Sequence, residues 1–143
     1  MRRRMPAQAP SAAGFQTAAT RRPAETSMAM AKARALKEAG RLTEETLLET
    51  TRRGETALAM AHLALAAGLP IHALERAAAM RSAKGMVSLV WKAGYTMRAG
   101  MAVQMLLARL PPNALMGQGP GGSFPLSAEE MRWQIDFLAR AGR

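Results

Sequence analysis

The middle of the chain repeats itself at an offset of about 26 residues, and this repeat is the sequence feature that most restricts which folds the chain can adopt. The shift places Met60 on Met86, and Gly68 on Gly94, each glycine following an apolar, alanine-rich stretch. Each unit is predicted to be a helix, a glycine stop and a second helix. We therefore predict an all-α fold of tandem antiparallel helical hairpins, a short HEAT-like α-solenoid, plus a C-terminal amphipathic helix. The alternative is a helical bundle in which Ala-Gly pairs simply mark helix ends.

Composition favours helices over sheets. Apolar residues make up 49% of the chain and aromatic residues only 4%, so the core is predicted to consist of alanine, leucine and methionine. The chain has no cysteine, which excludes disulfide frameworks, thiolate zinc sites, iron–sulfur clusters and cysteine nucleophiles. The charge-free run from Thr56 to Leu74 is rich in alanine and is broken at Gly68 and Pro70, so no membrane contact is predicted.

Capping residues mark the predicted helix boundaries. Thr43 is a good N-cap, Pro70 fits the first turn of a helix, and Ser127 with Glu130 forms a capping box. The third helix is apolar on almost every side, which is typical of a helix at the centre of a structure. The predicted helices cover residues 27–39, 43–54, 55–67, a segment from 70, then 82–93, 96–109 and a segment from 127.

Four regions follow from these boundaries. Residues 1–25, which carry five arginines and one acidic residue, are predicted to be a disordered basic tail because they contain little hydrophobic surface and several prolines. Residues 26–110 hold the helical hairpin repeats. Residues 111–126 form a Gly/Pro-rich linker, since no helix accepts that many prolines and glycines. Residues 127–143 form the C-terminal helix.

Several runs resemble an alphaproteobacterial family of helical proteins known only as a domain of unknown function (DUF2336-like). These runs lie at residues 57–59, 66–70, 90–94 and 106–109, and a Leu-Ser start at 126–127 leads to Arg132 and Phe137. The resemblance covers about residues 42–140 and corresponds to the C-terminal half of that family. It implies an all-helical repeat fold in a bacterial cytoplasm, and it supplies no catalytic residues to transfer.

Neither histidine is predicted to serve catalysis or to bind metal. His62 lies in the apolar helix, where a hydrogen-bonded or partly exposed residue is the simpler interpretation. His72 pairs with Glu75 at the i,i+3 spacing, which favours an exposed polar face because further ligands are missing. The Gly117–Gly122 run lacks the strand, lysine and hydroxyl of a phosphate-binding loop. We therefore predict no cofactor, no metal site and no enzymatic activity.

The distribution of charge is the strongest functional signal. The formal net charge is +10, and no acidic residue occurs between Arg76 and Ala128. Arg81, Lys84 and Lys92 fall on one side of the fifth predicted helix, in a row that could meet an acidic protein surface or phosphates. A simple solvated face is the other interpretation. The candidate binding residues are Arg76, Arg81, Lys84, Lys92 and Arg98.

The sequence accordingly favours a non-catalytic helical-repeat scaffold or regulatory protein-binding module in the cytoplasm. Its partner is expected to be a protein, acidic in character, or a second copy of the chain. The alternative is a nucleic-acid-associated protein that binds phosphates through Arg81, Lys84, Lys92 and the Arg-rich tail. The closing helix is amphipathic and needs a partner surface. The residues of its candidate docking face are Met131, Trp133, Ile135, Phe137 and Leu138.

Overall fold

The protein is all-helical throughout the part described by the computed structural model, which covers the backbone of residues 8–140 and the side chains of residues 23–140. This confirms the predicted fold class. Two single 3₁₀ turns, Pro112–Ala114 and Pro120–Gly122, lie between the last two helices. The helices are α1 (Gln8–Glu38), α2 (Glu44–Arg52), α3 (Thr56–Ala67), α4 (Ile71–Ala79), α5 (Ala83–Lys92), α6 (Met97–Leu106) and α7 (Ala128–Arg140).

Each of the helices α1 to α6 is followed by a residue in the left-handed conformation. Such a residue lets the next amide reach back to the exposed carbonyls of the last turn, as the Leu69 N–H does to the Ala64 oxygen at 2.9 Å. The order of helix, left-handed residue and second helix recurs three times, in α1–α2, α3–α4 and α5–α6, and each of these pairs is here called a hairpin. The left-handed residues are Gly40, Gly68 and Gly94 after the first helix of each hairpin, and Gly54, Arg81 and Arg109 after the second.

Hydroxyl side chains begin four of the helices, as the sequence predicts. Each accepts a hydrogen bond from a backbone N–H of the first turn, which has no partner within the helix. The predicted caps Thr43 and Ser127 are therefore confirmed, whereas the carboxylate of Glu130, the second member of the predicted capping box, lies beside Lys84. The N-cap pairs are Thr43 with the Thr46 N–H, Ser82 with Gly85, Thr96 with Arg98, and Ser127 with Glu130.

Helix α3 lies at the centre of the fold, as its uniform apolar character predicts. It packs against α1, α2, α4 and α5. Alanines on several of its sides, including Ala59, Ala61 and Ala64, are fully buried and allow these neighbours to approach closely. Leu63 joins the largest core cluster, together with residues of α2, α4, α5, α6 and α7.

The first hairpin also contacts the third directly, because α2 packs against α6. Glu44, in the first turn of α2, places its Oε2 atom at the start of α6. There it accepts hydrogen bonds from the Thr96 hydroxyl at 2.6 Å, from the Thr96 N–H at 3.1 Å and from the Ala99 N–H at 3.3 Å. A carboxylate is favoured at a helix N-terminus because the free N–H groups there carry partial positive charge. The hairpins are thus joined beyond simple neighbour stacking.

The predicted disordered tail differs from the structure where the two can be compared. Helix α1 begins at Gln8, so residues 8–25 are helical. Pro10 lies in the first turn, where its missing N–H removes no helical hydrogen bond, and the surrounding alanines favour helix. Pro23 lies inside the helix. Residues 1–7, which include Arg2, Arg3 and Arg4, fall outside the described residues.

The C-terminal helix packs on its own chain. Helix α7 lies against α5 and α4, and the segment before it is attached to α6 rather than hanging free as a linker. Within the described residues, no helix combines the length and apolar character that crossing a membrane requires.

The substitution Arg109→Gly is expected to stabilise the protein by about 1 kcal/mol, because glycine removes the cost of the left-handed backbone at φ 55°. Gly68→Ala, at φ 68°, should destabilise it by a similar amount. Urea unfolding followed by circular dichroism measures both. Equal or lower stability of Arg109→Gly would show that the arginine side chain contributes at least as much stability as its left-handed backbone costs.

Candidate functional site

The predicted basic row along α5 is interrupted in the structure. Ser88, which lies between two of its members, is fully buried, and its hydroxyl donates to the Lys84 carbonyl at 2.7 Å. The Lys84 ammonium lies 3.0 Å from a carboxylate oxygen of Glu130 on α7. Lys92 is exposed and has no ion-pair partner among the residues that the structure describes.

Arg81 connects two helix ends. Its Nε–H donates to the Ala108 carbonyl at 3.2 Å, and its Nη2 donates to the Arg109 carbonyl. These carbonyls follow the end of α6, where backbone oxygens lack helical partners. The guanidinium therefore satisfies backbone groups of its own chain, which gives this cation a structural role.

The two remaining candidate cations lie apart from the row. Arg98 on α6 lies 3.3 Å from a carboxylate oxygen of Glu45 on α2, and both side chains are exposed, so this ion pair contributes little stability. The Arg76 guanidinium lies over the ring of Phe137, 5.3 Å from its centroid. The five predicted cations therefore do not form one continuous surface.

The predicted docking face of the last helix is largely used within the chain. Met131, Ile135 and Leu138 are buried against the protein's own helices, because the apolar stripe of α7 packs on α5 and α4. Only two of the five candidate residues keep exposed surface: Trp133 is 58% exposed and Phe137 is half-buried. Their rings stack at 5.5 Å between centroids.

His62 belongs to a buried polar chain that crosses all three hairpins. Its Nε2 lies 2.7 Å from the Tyr95 hydroxyl, which donates to the Leu42 carbonyl at 3.3 Å. Because that hydroxyl has a single proton, His62 must donate from Nε2, which leaves Nδ1 as the unprotonated nitrogen. Nδ1 has no hydrogen-bond partner among the described residues. The prediction of a hydrogen-bonded histidine is confirmed.

Burial fixes the protonation of this pair. It lowers the pKa of His62 to about 4, because the charged imidazolium is poorly solvated there. Burial, together with the negative charge of Glu44, raises the pKa of Tyr95 to about 12. Both side chains are therefore neutral near pH 7 and serve as structural hydrogen-bonding groups.

His72 differs from its prediction. It is half-buried rather than part of an exposed polar face, and its Nε2 lies 2.7 Å from the Ala139 carbonyl in the last turn of α7. Donation from Nε2–H to this oxygen fastens α7 to α4. The contact joins residues far apart in the chain, so the local pattern around His72 could not reveal it. In the part of the chain that the structure describes, no three His, Cys, Asp or Glu side chains are grouped to hold a metal ion.

An open groove of about 690 Å³ lies between α1, α2 and α3. Its apolar lining includes Leu36 on α1 and Leu58 on α3, both half-buried, and Lys32 and Arg41 are among the charged residues at its edge. Sequence reasoning missed this groove. The available signal was Leu36, with Ala35 and Ala39 beside it, between the charged residues Lys32 and Arg41. The other lining residues are Glu45, Thr46, Glu49, Thr50 and Arg53.

Comparison with known proteins places the chain in a bacterial family. Residues 1–130 match the family of uncharacterised proteins conserved in bacteria, DUF2336. The chain belongs to this family. The match confirms the resemblance to the DUF2336 family. It covers residues 1–130 rather than 42–140, so it includes the part expected to be a tail and ends before Arg132 and Phe137 of the closing helix. Searches of characterised proteins and of solved structures each returned no match.

Stability should fall as the pH is lowered through the window set by His62. The unfolded histidine takes up a proton near pH 6.5 and the folded one near pH 4, so the unfolded state binds more protons between these values. The expected loss between pH 7 and pH 5 is about 2 kcal/mol. Urea unfolding at several pH values measures it. His62→Leu should flatten the profile, and an unchanged slope in that variant would assign the effect to other groups.

Arg81→Ala should destabilise the protein by about 1–3 kcal/mol, because two carbonyls lose their charged hydrogen-bond donor while the left-handed backbone remains. Lys92→Ala removes an exposed cation from the same predicted row and should change stability by less than about 0.5 kcal/mol. Thermal and urea unfolding of the two variants give the comparison. Equal stabilities would remove the structural role assigned to Arg81.

Proposed function

We propose that this DUF2336 member is a non-catalytic, cytoplasmic protein-binding module that docks an acidic, amphipathic helix of a partner protein in the α1–α2–α3 groove. The observation that carries the proposal is the groove itself, with its apolar lining and charged edge. Grooves of this kind accept the apolar face of a helix while charges at the edge select its polar face.

The apolar lining gives the partner helix a place to bury its side chains. Leu36 and Ala35 belong to α1, Ala39 follows its end, and Leu58 belongs to α3, which packs directly on α1. This supports an aliphatic or aromatic anchor on the partner, which would bury the half-exposed leucines.

Charge supports an acidic partner. Among the described residues, Lys32 and Arg41 have no ion-pair partner, whereas both glutamates at the groove edge are already engaged. Glu49 pairs with Arg52 and Arg53, and the Arg52 guanidinium beside it lowers its pKa. The unpaired charge at the groove is therefore positive, in line with the net charge of +10. Such complementarity steers association and selects partners.

The environment of the two histidines supports a non-catalytic role. His62 is neutral and hydrogen-bonded inside the core, and His72 fastens the last helix. Each imidazole thus has a structural explanation, and neither lines the groove.

Nucleic-acid binding is the second candidate, favoured by the net charge of +10. It is less well supported because Arg81 donates to backbone carbonyls and Lys84 lies beside Glu130. The predicted row thus presents fewer free cations than its spacing suggests.

Two matched charge reversals test the proposal. Lys32→Glu with Arg41→Glu alters the groove edge, and Lys84→Glu with Lys92→Glu alters the α5 row by the same total charge. Each is used as bait in affinity purification from the source bacterium, and the affinity of the recovered partner is then measured. We expect the groove pair to weaken partner binding by about tenfold or more, and the row pair to leave it nearly unchanged.

The opposite pattern would move the docking surface to α5 and overturn the groove assignment. Recovery of DNA or RNA whose binding falls steeply with salt, and which the row pair abolishes, would establish the nucleic-acid alternative.

A further inference from the structure

A second surface of the protein, between α5, α6 and α7, is covered by a segment of the same chain. Residues 111–126, here called the strap, leave the end of α6 and run to the start of α7. Most of the strap is exposed, including Gly117, Gln118 and the second 3₁₀ turn. The predicted linker is therefore a surface segment, but it is held to the helices at defined points.

The first point of attachment is a two-sided clamp on the peptide backbone. Gln104 of α6 is fully buried, and its Nε2–H donates to the Met116 carbonyl at 3.0 Å while its Oε1 accepts from the Met116 N–H at 2.8 Å. Nε2 also donates to the Gly100 carbonyl at 3.1 Å, which orients the carboxamide. This pairing satisfies both backbone groups of one residue, as a neighbouring strand would, and it does not depend on the side chain of that residue.

The second point of attachment is an apolar pocket. Met116 and Phe124 of the strap pack with a buried cluster of Val87, Met97 and Met131. Methionine side chains are flexible and polarisable, so a pocket lined by them accepts apolar groups of different shape. Half-buried Trp91 and Met101 complete this cluster from the helices, and Leu126 joins it from the end of the strap.

We propose that the surface between α5, α6 and α7 is a binding site for an extended peptide, and that the strap closes it as an internal ligand. The site would take a segment that contains two apolar residues. The first is aliphatic, and its backbone pairs with Gln104. The second lies further along the segment, and its side chain enters the methionine pocket. A partner bearing such a segment displaces the strap. This site is separate from the α1–α2–α3 groove and does not depend on it.

The composition of the strap suits a displaceable ligand. Between its two attachment points it carries four glycines, and several of the hydrogen bonds there join strap residues to one another, such as the Gly119 N–H to the Ser123 carbonyl at 2.7 Å. Because the strap is tethered, it competes at an effective concentration of roughly millimolar. A free peptide should therefore bind the intact chain weakly, and a chain without strap attachment more tightly.

Hydrogen exchange of the intact chain tests the displacement directly. The Met116 amide should exchange through local opening, at least about tenfold faster than the buried amide of Leu63 in α3. Gln104→Met should speed Met116 exchange further and leave that of Leu63 nearly unchanged. Exchange of Met116 only at the rate of global unfolding would overturn the proposal, since the strap would then never leave a folded protein.

Peptide binding tests the site itself. Residues 112–125 are replaced by a Gly/Ser segment of equal length in the full chain, and the probe is a synthetic peptide of residues 110–126. Calorimetry should show saturable binding, weakened by about tenfold or more with Gln104→Met in the protein or Met116→Asp in the peptide. The intact chain should bind the peptide at least about tenfold more weakly. No binding to a folded variant, or binding indifferent to both substitutions, would refute the site. If the variant does not fold, the exchange measurement decides.

Discussion

The left-handed residue that ends each of the first six helices is the constraint on which the rest of the structure depends. It turns the backbone sharply and lets the following amide bond a carbonyl of the last turn, so a short helix can stop without leaving its polar groups unsatisfied. At Gly40, Gly54, Gly68 and Gly94 this conformation is inexpensive. The turns let α1, α2, α4 and α5 pack around α3 and let α6 pack on α5 and α2, and the groove and the strap site both lie on the resulting scaffold.

Features encoded over a few residues could be predicted from the sequence. Thr43, Ser82 and Ser127 each begin a helix because a hydroxyl beside free N–H groups is a local requirement, and α3 is central because it is apolar on all sides. Contacts between distant residues could not be predicted in this way. The Nε2 of His72 reaches a carbonyl 67 residues away. No period or spacing in the sequence connects the two positions.

The same limit applies to the charged residues: their spacing along a helix could be predicted from the sequence, but their interaction partners could not. The spacing of Arg81, Lys84 and Lys92 is a property of one helix and its approach, but the partners of Arg81 and Lys84 come from elsewhere in the chain. Arg81 finds carbonyls beyond α6, and Lys84 finds Glu130 on α7. Within the part of the chain that the structure describes, the free cations beside an apolar surface are instead Lys32 and Arg41. They lie next to the half-exposed lining of the groove because α1, α2 and α3 pack together there.

The carboxylate of Glu44 has a consequence for how the molecule comes apart. An open array of repeats can lose its terminal unit and leave the others standing, because each unit touches only its neighbours. Here the first and third hairpins share three hydrogen bonds at Thr96 and Ala99, so detaching either one uncovers the start of α6. These contacts between the terminal hairpins oppose fraying from the ends, and we expect the chain to unfold as a single cooperative unit despite its repetitive construction.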